Sequence, residues 1–488
     1  MTYGHSLTHN LTKREFSGFG ARTGPPPRRS ESSGRSSESE KPLEEARERE
    51  DKGVPWGKIA LGLGSGIAAV GGALSPVGSA FIQEHHLAQC LGLPDPVDLI
   101  DLGVEVQDPA GLPSPSSSAR ENADWWGSLS SERRQELLRE APGTIGNLDG
   151  LPAPVKDQAN RSFLEEEISS LTTLRDSLQK EVDAQGEELP YTLEAKLPGM
   201  RLEAVGERLA DLQRIDTALE AGDDRYLLLL DNVDGEKLHA AISAGNPDQA
   251  DHIAVTVPGV NTTVRSLRRM IEEGLEVQDV ALDMLEEEGR GEEAIAVIAW
   301  SGYDSPQVGG NLCQQVGGGL DSMGQAKARQ GAKDLNGFLQ GLDAARTTSE
   351  DPNVTAIGHS YGSLTTSLAL QRGGHPVDNF VVYGSPGLAL NDYSKLGLKA
   401  GHAFEMTADG DKVSEWVGKI EWFGQPTKED PDFVHLSTEP AVIDGVEYEG
   451  VYEHSDYPRN GENGRVRISG YNVASVVAGL PDNAVAVG

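Results

Sequence analysis

The chain has 488 residues, which is enough for two or three domains with a large hydrophobic core. Its 77 Asp and Glu residues outnumber its 42 Lys and Arg residues, and the resulting net charge of −35 excludes non-specific nucleic-acid binding, because phosphates would be repelled. The two cysteines, Cys90 and Cys313, make no disulfide framework, and we expect neither a metal nor an organic cofactor.

The N-terminal part of the chain predicts a tail, an apolar segment and a linker. Residues 1–55 are rich in Ser, Arg, Glu and Pro and carry too few apolar side chains to offset the entropy cost of ordering, so we expect them to be disordered. Residues 56–120 contain an apolar, Gly/Ala-rich run and then a Pro/Ser-rich linker.

The apolar run, residues 59–82, is uncharged and long enough to span a bilayer. Basic residues precede it and none follows until Arg120, which would place the body of the protein outside the cytoplasm. Its six glycines and one proline make it only marginally hydrophobic, so a soluble helix packed on the body is the alternative. Both a membrane-anchored and a cytoplasmic protein are therefore compatible with the sequence.

Residues 121–222 predict a helical subdomain. A helix is expected to start near Ser130, with Leu137 and Leu138 on its apolar face. Two later series recur at spacings of three and four, and they consist of Leu164, Ile168, Leu171, Leu174, Leu178 and Val182, then Leu202, Val205, Leu209, Leu212, Ile215 and Leu219. Because Pro190 and Pro198 lie between the two stripes, the pattern predicts a helical hairpin, packed on the body rather than forming a coiled-coil dimer.

Residues 223–488 predict an α/β domain. Residues 226–230 and 237–242 flank an Asp-Gly turn and predict an antiparallel pair. Further strands are predicted at 252–257, 294–300, 354–357, 377–383 and 402–407, with helices at 265–288, 323–345 and 471–478. Such alternation predicts a mostly parallel sheet with helices on both faces.

The segment Gly-His-Ser-Tyr-Gly at 358–362 follows the buried strand 354–357 and precedes a run of small residues. In that strand, turn and helix context, the flanking glycines allow a strained turn that exposes the hydroxyl of Ser360 as a nucleophile. Tyr361 would open the helix, so its backbone N–H would point to the place where an oxyanion forms.

A serine nucleophile needs a general base, and the base needs a carboxylate that orients it. In the chain order serine, acid, histidine, Asp411 is the preferred acid, because it follows a glycine turn and precedes an apolar residue; Asp409 is the alternate. His454 is the preferred base, since it lies in a polar loop before the last helix. His435 lies in a strand-like run and is the alternate base.

The loop Pro-Gly-Val-Asn-Thr at 258–262 follows the strand 252–257. Gly259 would let the backbone turn so that the N–H of Val260, or that of Asn261, faces the same point as the N–H of Tyr361. The loop therefore predicts the second oxyanion donor, and Asn261 is also a candidate for lining the pocket.

Three runs, 300–306, 358–363 and 383–387, resemble the largely actinobacterial α/β-hydrolase family catalogued as domain of unknown function 1023. Residues 145–153 and 157–161 are similar to the helical lead-in of that family, so the likeness covers about residues 124–480. The resemblance implies a serine hydrolase fold with Ser360 as nucleophile, and it agrees with the choice of Asp411 and His454. It also makes Asp304 a pocket candidate, with capping of the turn after Trp300 as the alternative role.

The sequence therefore predicts an α/β-hydrolase fold and a serine hydrolase that acts on a carboxylic ester or a related acyl bond. A small-molecule or lipid-like ester would be the substrate. A serine peptidase or a transacylase would use the same triad, because acyl-group preference depends on pocket shape. The alternative from another class is a scaffold whose helical hairpin binds a partner, and the oligomeric state stays open.

Overall fold

The structure of the protein is a computed structural model, which describes residues 111–185, 193–232, 237–307, 324–346, 351–417, 423–424 and 427–487. The predicted tail, the apolar run 59–82 and both cysteines lie outside these ranges. Among the helices that the structure does describe, none combines the length and the apolar character needed to cross a bilayer.

Among the residues that the structure describes, five helices precede the sheet: α1 Ala119–Ser128, α2 Ser131–Glu140, α3 Pro142–Asn147, α4 Ala153–Ala184 and α5 Leu193–Glu220. Ser130 caps α2 as predicted, since its hydroxyl accepts a hydrogen bond from the N–H of Arg133. Both α4 and α5 are longer than the two helices of the hairpin that the apolar stripes predict. Pro198, which we placed between them, lies inside α5, where it removes only one backbone hydrogen bond near the N-terminal end.

In the part of the chain that the structure describes, eight strands form one sheet in the order β1-β2-β4-β3-β5-β6-β7-β8. They are β1 Arg225–Asp231, β2 His239–Ala244, β3 His252–Val257, β4 Ile295–Ser301, β5 Asn353–His359, β6 Asn379–Tyr383, β7 Ala403–Met406 and β8 Val434–His435. The pair β1 and β2 is antiparallel, as predicted, and β2 is also antiparallel to β4. All the other pairs are parallel, which confirms the predicted fold class.

Later helices on the two faces of the sheet, as the alternation of elements predicts, are α6 Leu267–Glu287, α7 Ala326–Ala345 and α8 Tyr361–Leu370, together with α10 Ile468–Val477. The short helix α9 Lys412–Val417 follows β7 in the chain. One face of the sheet shares a hydrophobic core with α4, α5, α6 and α10, and the opposite face packs against α7 and α8. The strand-like run around His435 forms β8, whereas the sequence did not predict the small hairpin of β9 Ala441–Ile443 and β10 Val446–Tyr448.

The outer edge of β1 is capped by side chains from the helices before it. The amide of Asn147 donates to the carbonyl of Leu230 at 2.7 Å and accepts from the N–H of Leu230 at 3.0 Å, as a neighbouring strand would. Asp157 accepts from the N–H of Leu227 at 2.8 Å, and Asn160 donates to the carbonyl of Leu227 at 2.9 Å. These contacts satisfy backbone groups at the end of the sheet that would otherwise be open to pairing with another chain.

Candidate active site

Ser360 lies at the junction between β5 and α8, in a backbone conformation with φ 54° and ψ −127°. Non-glycine residues rarely adopt a positive φ, so the turn is strained. A Cβ on Gly358 would lie 2.5 Å from Ser363 Cα, and one on Gly362 would lie 2.2 Å from Val257 O. Both glycines are therefore required by close backbone approach, which explains the Gly-x-Ser-x-Gly spacing.

Asp411 is fully buried at the N-terminal end of α9, directly beside His454. The His454 Nδ1 lies 2.9 Å from each oxygen of the Asp411 carboxylate. The N–H groups of Val413 and Ser414 donate to Asp411 Oδ1 at 3.0 and 3.2 Å. Burial raises the pKa of Asp411, but the hydrogen bonds from His454 and Ser414 outweigh it, so that the pKa lies below its usual value and the carboxylate stays ionised.

The two alternates lie elsewhere. The side chain of Asp409 is 84% exposed and pairs with Lys428 at 2.7 Å, so it does not contact His454. His435 lies in β8, where its Nδ1 is 3.2 Å from the buried carboxylate of Glu405 in the neighbouring strand. The structure thus brings Asp411 and His454 together and leaves Asp409 and His435 in other pairs.

Ser360, on one side, and the pair of His454 and Asp411, on the other, both lie against the end of β6. The N–H of Ser360 donates to Tyr383 O at 3.1 Å. The next residue, Gly384, has φ 58°, and a Cβ there would lie 3.0 Å from both Asp411 Oδ2 and His454 Cε1. A side chain at this position would thus displace the acid and the base, which accounts for the glycine in the run 383–387.

His359 packs directly against the candidate base. Its ring centroid lies 5.0 Å from that of His454, and its Nε2–H donates to the backbone carbonyl of His454 at 3.0 Å. Burial, together with the neighbouring His454, lowers the pKa of His359 to about 3. His359 is therefore a neutral donor that holds the loop of His454 over the strand end, rather than a second base.

The loop between β3 and α6 approaches Ser360 closely. A Cβ on Gly259 would lie 2.7 Å from Ser360 Cβ and 3.1 Å from Ser360 Oγ. The N–H of Asn261 donates to Pro306 O at 2.9 Å, so it is already used within the protein. The N–H of Val260 has no acceptor among the described residues, and Tyr361 begins α8, whose first amides point out of the N-terminal end of the helix.

The run 300–306 braces this loop. The Tyr303 hydroxyl donates to Pro258 O at 2.6 Å, and the Ser305 hydroxyl donates to Thr262 O at 2.6 Å. Asp304 accepts from His239 Nε2 and from the backbone N–H of Lys237, both at 3.1 Å. Asp304 thus holds the start of β2, which is a different role from the turn cap that the sequence suggested, and its part in a pocket stays a prediction.

Comparison with known proteins agrees with this fold. A family model described as alpha/beta hydrolase matches residues 234–421. Uncharacterized proteins of Mycobacterium tuberculosis and Mycobacterium bovis are 39% identical to the chain over 242 residues, which cover 49% of this chain and 86% of each relative. The chain belongs to the α/β-hydrolase family.

Two other comparisons are more distant. Another uncharacterized protein of Mycobacterium tuberculosis is 29% identical to this α/β hydrolase over 340 residues, which cover 66% of this chain and 48% of that protein. The crystal structure of LpqC, a poly(3-hydroxybutyrate) depolymerase from Bordetella parapertussis, matches with a TM-score of 0.25 at 15% identity, over 42% of this chain and 72% of that chain. A TM-score this low supports no conclusion about fold or activity.

The site of this α/β hydrolase contains contacts that the sequence analysis missed. The hydroxyl of Tyr457 lies 3.0 Å from Asp411 Oδ2, and the hydroxyl of Tyr303 holds the loop at Gly259. Each contact joins residues more than 40 positions apart, so no local sequence pattern predicts it. The closest signal was the position of Tyr457 three residues after the candidate base.

Proposed function

We propose that this protein is a serine hydrolase that cleaves a carboxylic ester or a related acyl bond with Ser360, His454 and Asp411 as its catalytic triad. The observation that carries the proposal is the pair formed by His454 Nδ1 and Asp411, at 2.9 Å, at the strand end where the strained turn presents Ser360. We also propose the narrower kinship with the family catalogued as domain of unknown function 1023, which rests on the likeness of the runs 300–306, 358–363 and 383–387.

In the proposed mechanism, Ser360 Oγ attacks the carbonyl carbon of the ester while His454 Nε2 takes the hydroxyl proton. Asp411, ionised and bonded to Nδ1–H, stabilises the imidazolium and fixes the orientation of the ring. The N–H groups of Val260 and Tyr361 bind the oxyanion. His454 then protonates the leaving alcohol, and a water molecule activated by the same histidine hydrolyses the acyl-enzyme and regenerates Ser360.

The nucleophile is tested with a fluorophosphonate probe, which forms a covalent adduct with an activated serine. We expect the wild-type protein to label at Ser360 and the Ser360→Ala variant to lose labelling. Ser394→Ala is the matched control, because Ser394 is exposed and its hydroxyl bonds only Asp392 at the surface. Undiminished labelling of Ser360→Ala would show that another residue reacts.

The acid and the base are tested by hydrolysis of p-nitrophenyl acetate in two matched pairs of variants. We expect His454→Ala and Asp411→Asn to lower kcat/KM by about 10³-fold or more. His435→Ala and Asp409→Asn should stay within about threefold of wild type, since their pairs lie away from Ser360. The reverse ranking within either pair would refute the assignment, and a wild-type chain that neither labels nor turns over the ester would favour the scaffold.

A further inference from the structure

Tyr457 is a buried tyrosine in the loop that carries His454, and its hydroxyl meets the candidate triad acid. The phenol oxygen lies 3.0 Å from Asp411 Oδ2 and 2.9 Å from the backbone nitrogen of Ala408. Only 2% of Tyr457 is exposed. None of the steps of the proposed hydrolysis uses this side chain.

The direction of the two hydrogen bonds follows from chemistry. The N–H of Ala408 can only donate, so the phenol oxygen accepts that bond and directs its own proton to Asp411. Burial and the neighbouring Asp411 charge raise the pKa of Tyr457 well above its usual value. The phenol is therefore a neutral donor throughout the pH range in which a histidine base works.

The position of the phenol is fixed from two other directions. The Ser469 hydroxyl, in the first turn of α10, donates to the backbone carbonyl of Tyr457 at 2.7 Å. The ring of Tyr457 stacks on that of Tyr383, with centroids 5.4 Å apart and planes at 19°. Tyr383 in turn lies 5.1 Å from the ring of His359, which contacts His454. One continuous row of rings therefore links the donor of the acid to the base.

The two oxygens of Asp411 have unequal support. Oδ1 accepts from the N–H groups of Val413 and Ser414, whereas Oδ2 has Tyr457 as its donor besides His454. Without the phenol, Oδ2 would depend on His454 alone, and the carboxylate could turn about its Cβ–Cγ bond. A buried charge with fewer donors also holds a proton more tightly.

We propose that Tyr457 is a positioning residue for the hydrolytic triad, which fixes the orientation of the Asp411 carboxylate and shares its negative charge. This inference rests on the proposed serine hydrolase function. It predicts that loss of the phenol hydroxyl changes the proton affinity of the His454 and Asp411 pair as well as the rate. If Tyr457 only filled the core, loss of its hydroxyl would change neither the orientation of the His454 and Asp411 pair nor the pH at which the pair takes up a proton.

The test compares Tyr457→Phe with wild type by measuring kcat/KM for p-nitrophenyl acetate against pH. The acid limb of this profile reports proton uptake by the His454 and Asp411 pair as a unit. We expect the limb of Tyr457→Phe to move to higher pH by roughly half a pH unit, since the pair loses a donor to its negative charge. At the plateau we expect kcat/KM to fall about tenfold, the effect of one hydrogen bond to a charged group.

Tyr448→Phe is the matched control. Tyr448 is also buried and packs against Tyr471, with centroids 4.8 Å apart, but it has no place in the triad. Its profile should superpose on that of wild type. The limb position is a property of the folded, active molecules, so partial unfolding of Tyr457→Phe would lower the plateau without moving the limb.

An acid limb of Tyr457→Phe that coincides with that of wild type would overturn the inference, whatever the change in rate. An equal shift in Tyr448→Phe would overturn it as well, because the effect would then be general to the core. Failure of the underlying function is distinct from both results. In that case wild-type protein would neither react with the fluorophosphonate probe nor hydrolyse the ester.

Discussion

At the scale of single residues, the contact between Gly259 and Ser360 links the candidate oxyanion loop to the nucleophile. Gly259 does not have a positive φ, so an alanine there would suffer no backbone strain of its own. Its methyl group, however, would lie 2.7 Å from Ser360 Cβ and 3.0 Å from His359 O. Neither neighbour is the end of a flexible side chain, so the loop or the strained turn has to move.

We expect Gly259→Ala to lower kcat/KM for p-nitrophenyl acetate by about 10²-fold or more, because displacement removes the Val260 N–H from the oxyanion. Steady-state kinetics and the rate of fluorophosphonate labelling measure the effect. Gly206→Ala is the matched control, since no atom lies within 4 Å of its Cβ position inside α5. That variant should keep full activity and gain about 0.5–1 kcal/mol of stability. Activity of Gly259→Ala within about threefold of wild type would contradict the role of the loop.

The residues of the candidate site differ in how far the sequence could identify them. Ser360 could be named because the strand, the glycines and the small helix residues all lie within one short segment. Asp411 and His454 followed from chain order and loop position. The hydroxyls of Tyr303 and Tyr457 could not be named, because their partners are 45 and 46 positions away in the chain. Side-chain hydrogen bonds of that kind depend on how the loops pack, which residue spacing does not encode.

At the scale of secondary structure, the capped edge of β1 explains why polar residues are buried in the helices before the sheet. Asn160 is completely buried and donates to the carbonyls of Gly146 and Leu227 at 3.0 and 2.9 Å. Lys156, buried one turn earlier, donates to Leu148 O at 3.0 Å. The start of α4 therefore holds α3 and β1 together through hydrogen bonds in addition to apolar contacts.

We expect Asn160→Ala to lower the free energy of unfolding by about 2–4 kcal/mol, because two buried carbonyls lose their donor and a small cavity remains. Urea denaturation followed by far-UV circular dichroism measures the change. Asn391→Ala is the control, since Asn391 is exposed and accepts only from Lys395 at the surface; it should stay within about 0.5 kcal/mol of wild type. A loss of less than about 1 kcal/mol for Asn160→Ala would show that the edge of β1 does not need this cap.

The sequence could predict the elements whose apolar pattern is uninterrupted, and it missed those in which buried polar residues or a short length hide the pattern. The strands β3, β4 and β5 are continuous apolar runs, and the sequence predicted each of them. The helix α4 begins at Ala153, whereas the apolar stripe in the sequence begins only at Leu164. The reason is that the first turns of α4 bury the polar residues Lys156 and Asn160, which interrupt the stripe. The strands β9 and β10 have only three residues each, too few for any period to be seen.

At the scale of the whole molecule, the net charge of −35 sets how stability should respond to salt. Acidic side chains are closer together in the folded protein than in the expanded unfolded chain, so their mutual repulsion destabilises the fold. Salt screens this repulsion, since the Debye length falls from about 30 Å at 0.01 M to about 10 Å at 0.1 M. Salt also weakens surface ion pairs such as Arg268 with Glu272, at 2.9 Å, but each such pair contributes little.

We therefore expect the Tm to rise as NaCl increases from about 0.01 M to about 0.3 M, and then to level off once the Debye length is shorter than the spacing between surface charges. A gain of about 1 kcal/mol corresponds to a shift of roughly 1 °C in a chain of this length, which differential scanning calorimetry resolves. Sucrose is the control, because an uncharged osmolyte excluded from the surface stabilises steadily with concentration and shows no early plateau. A Tm that falls as NaCl rises to about 0.3 M would mean that the ion pairs contribute more to stability than the net repulsion removes.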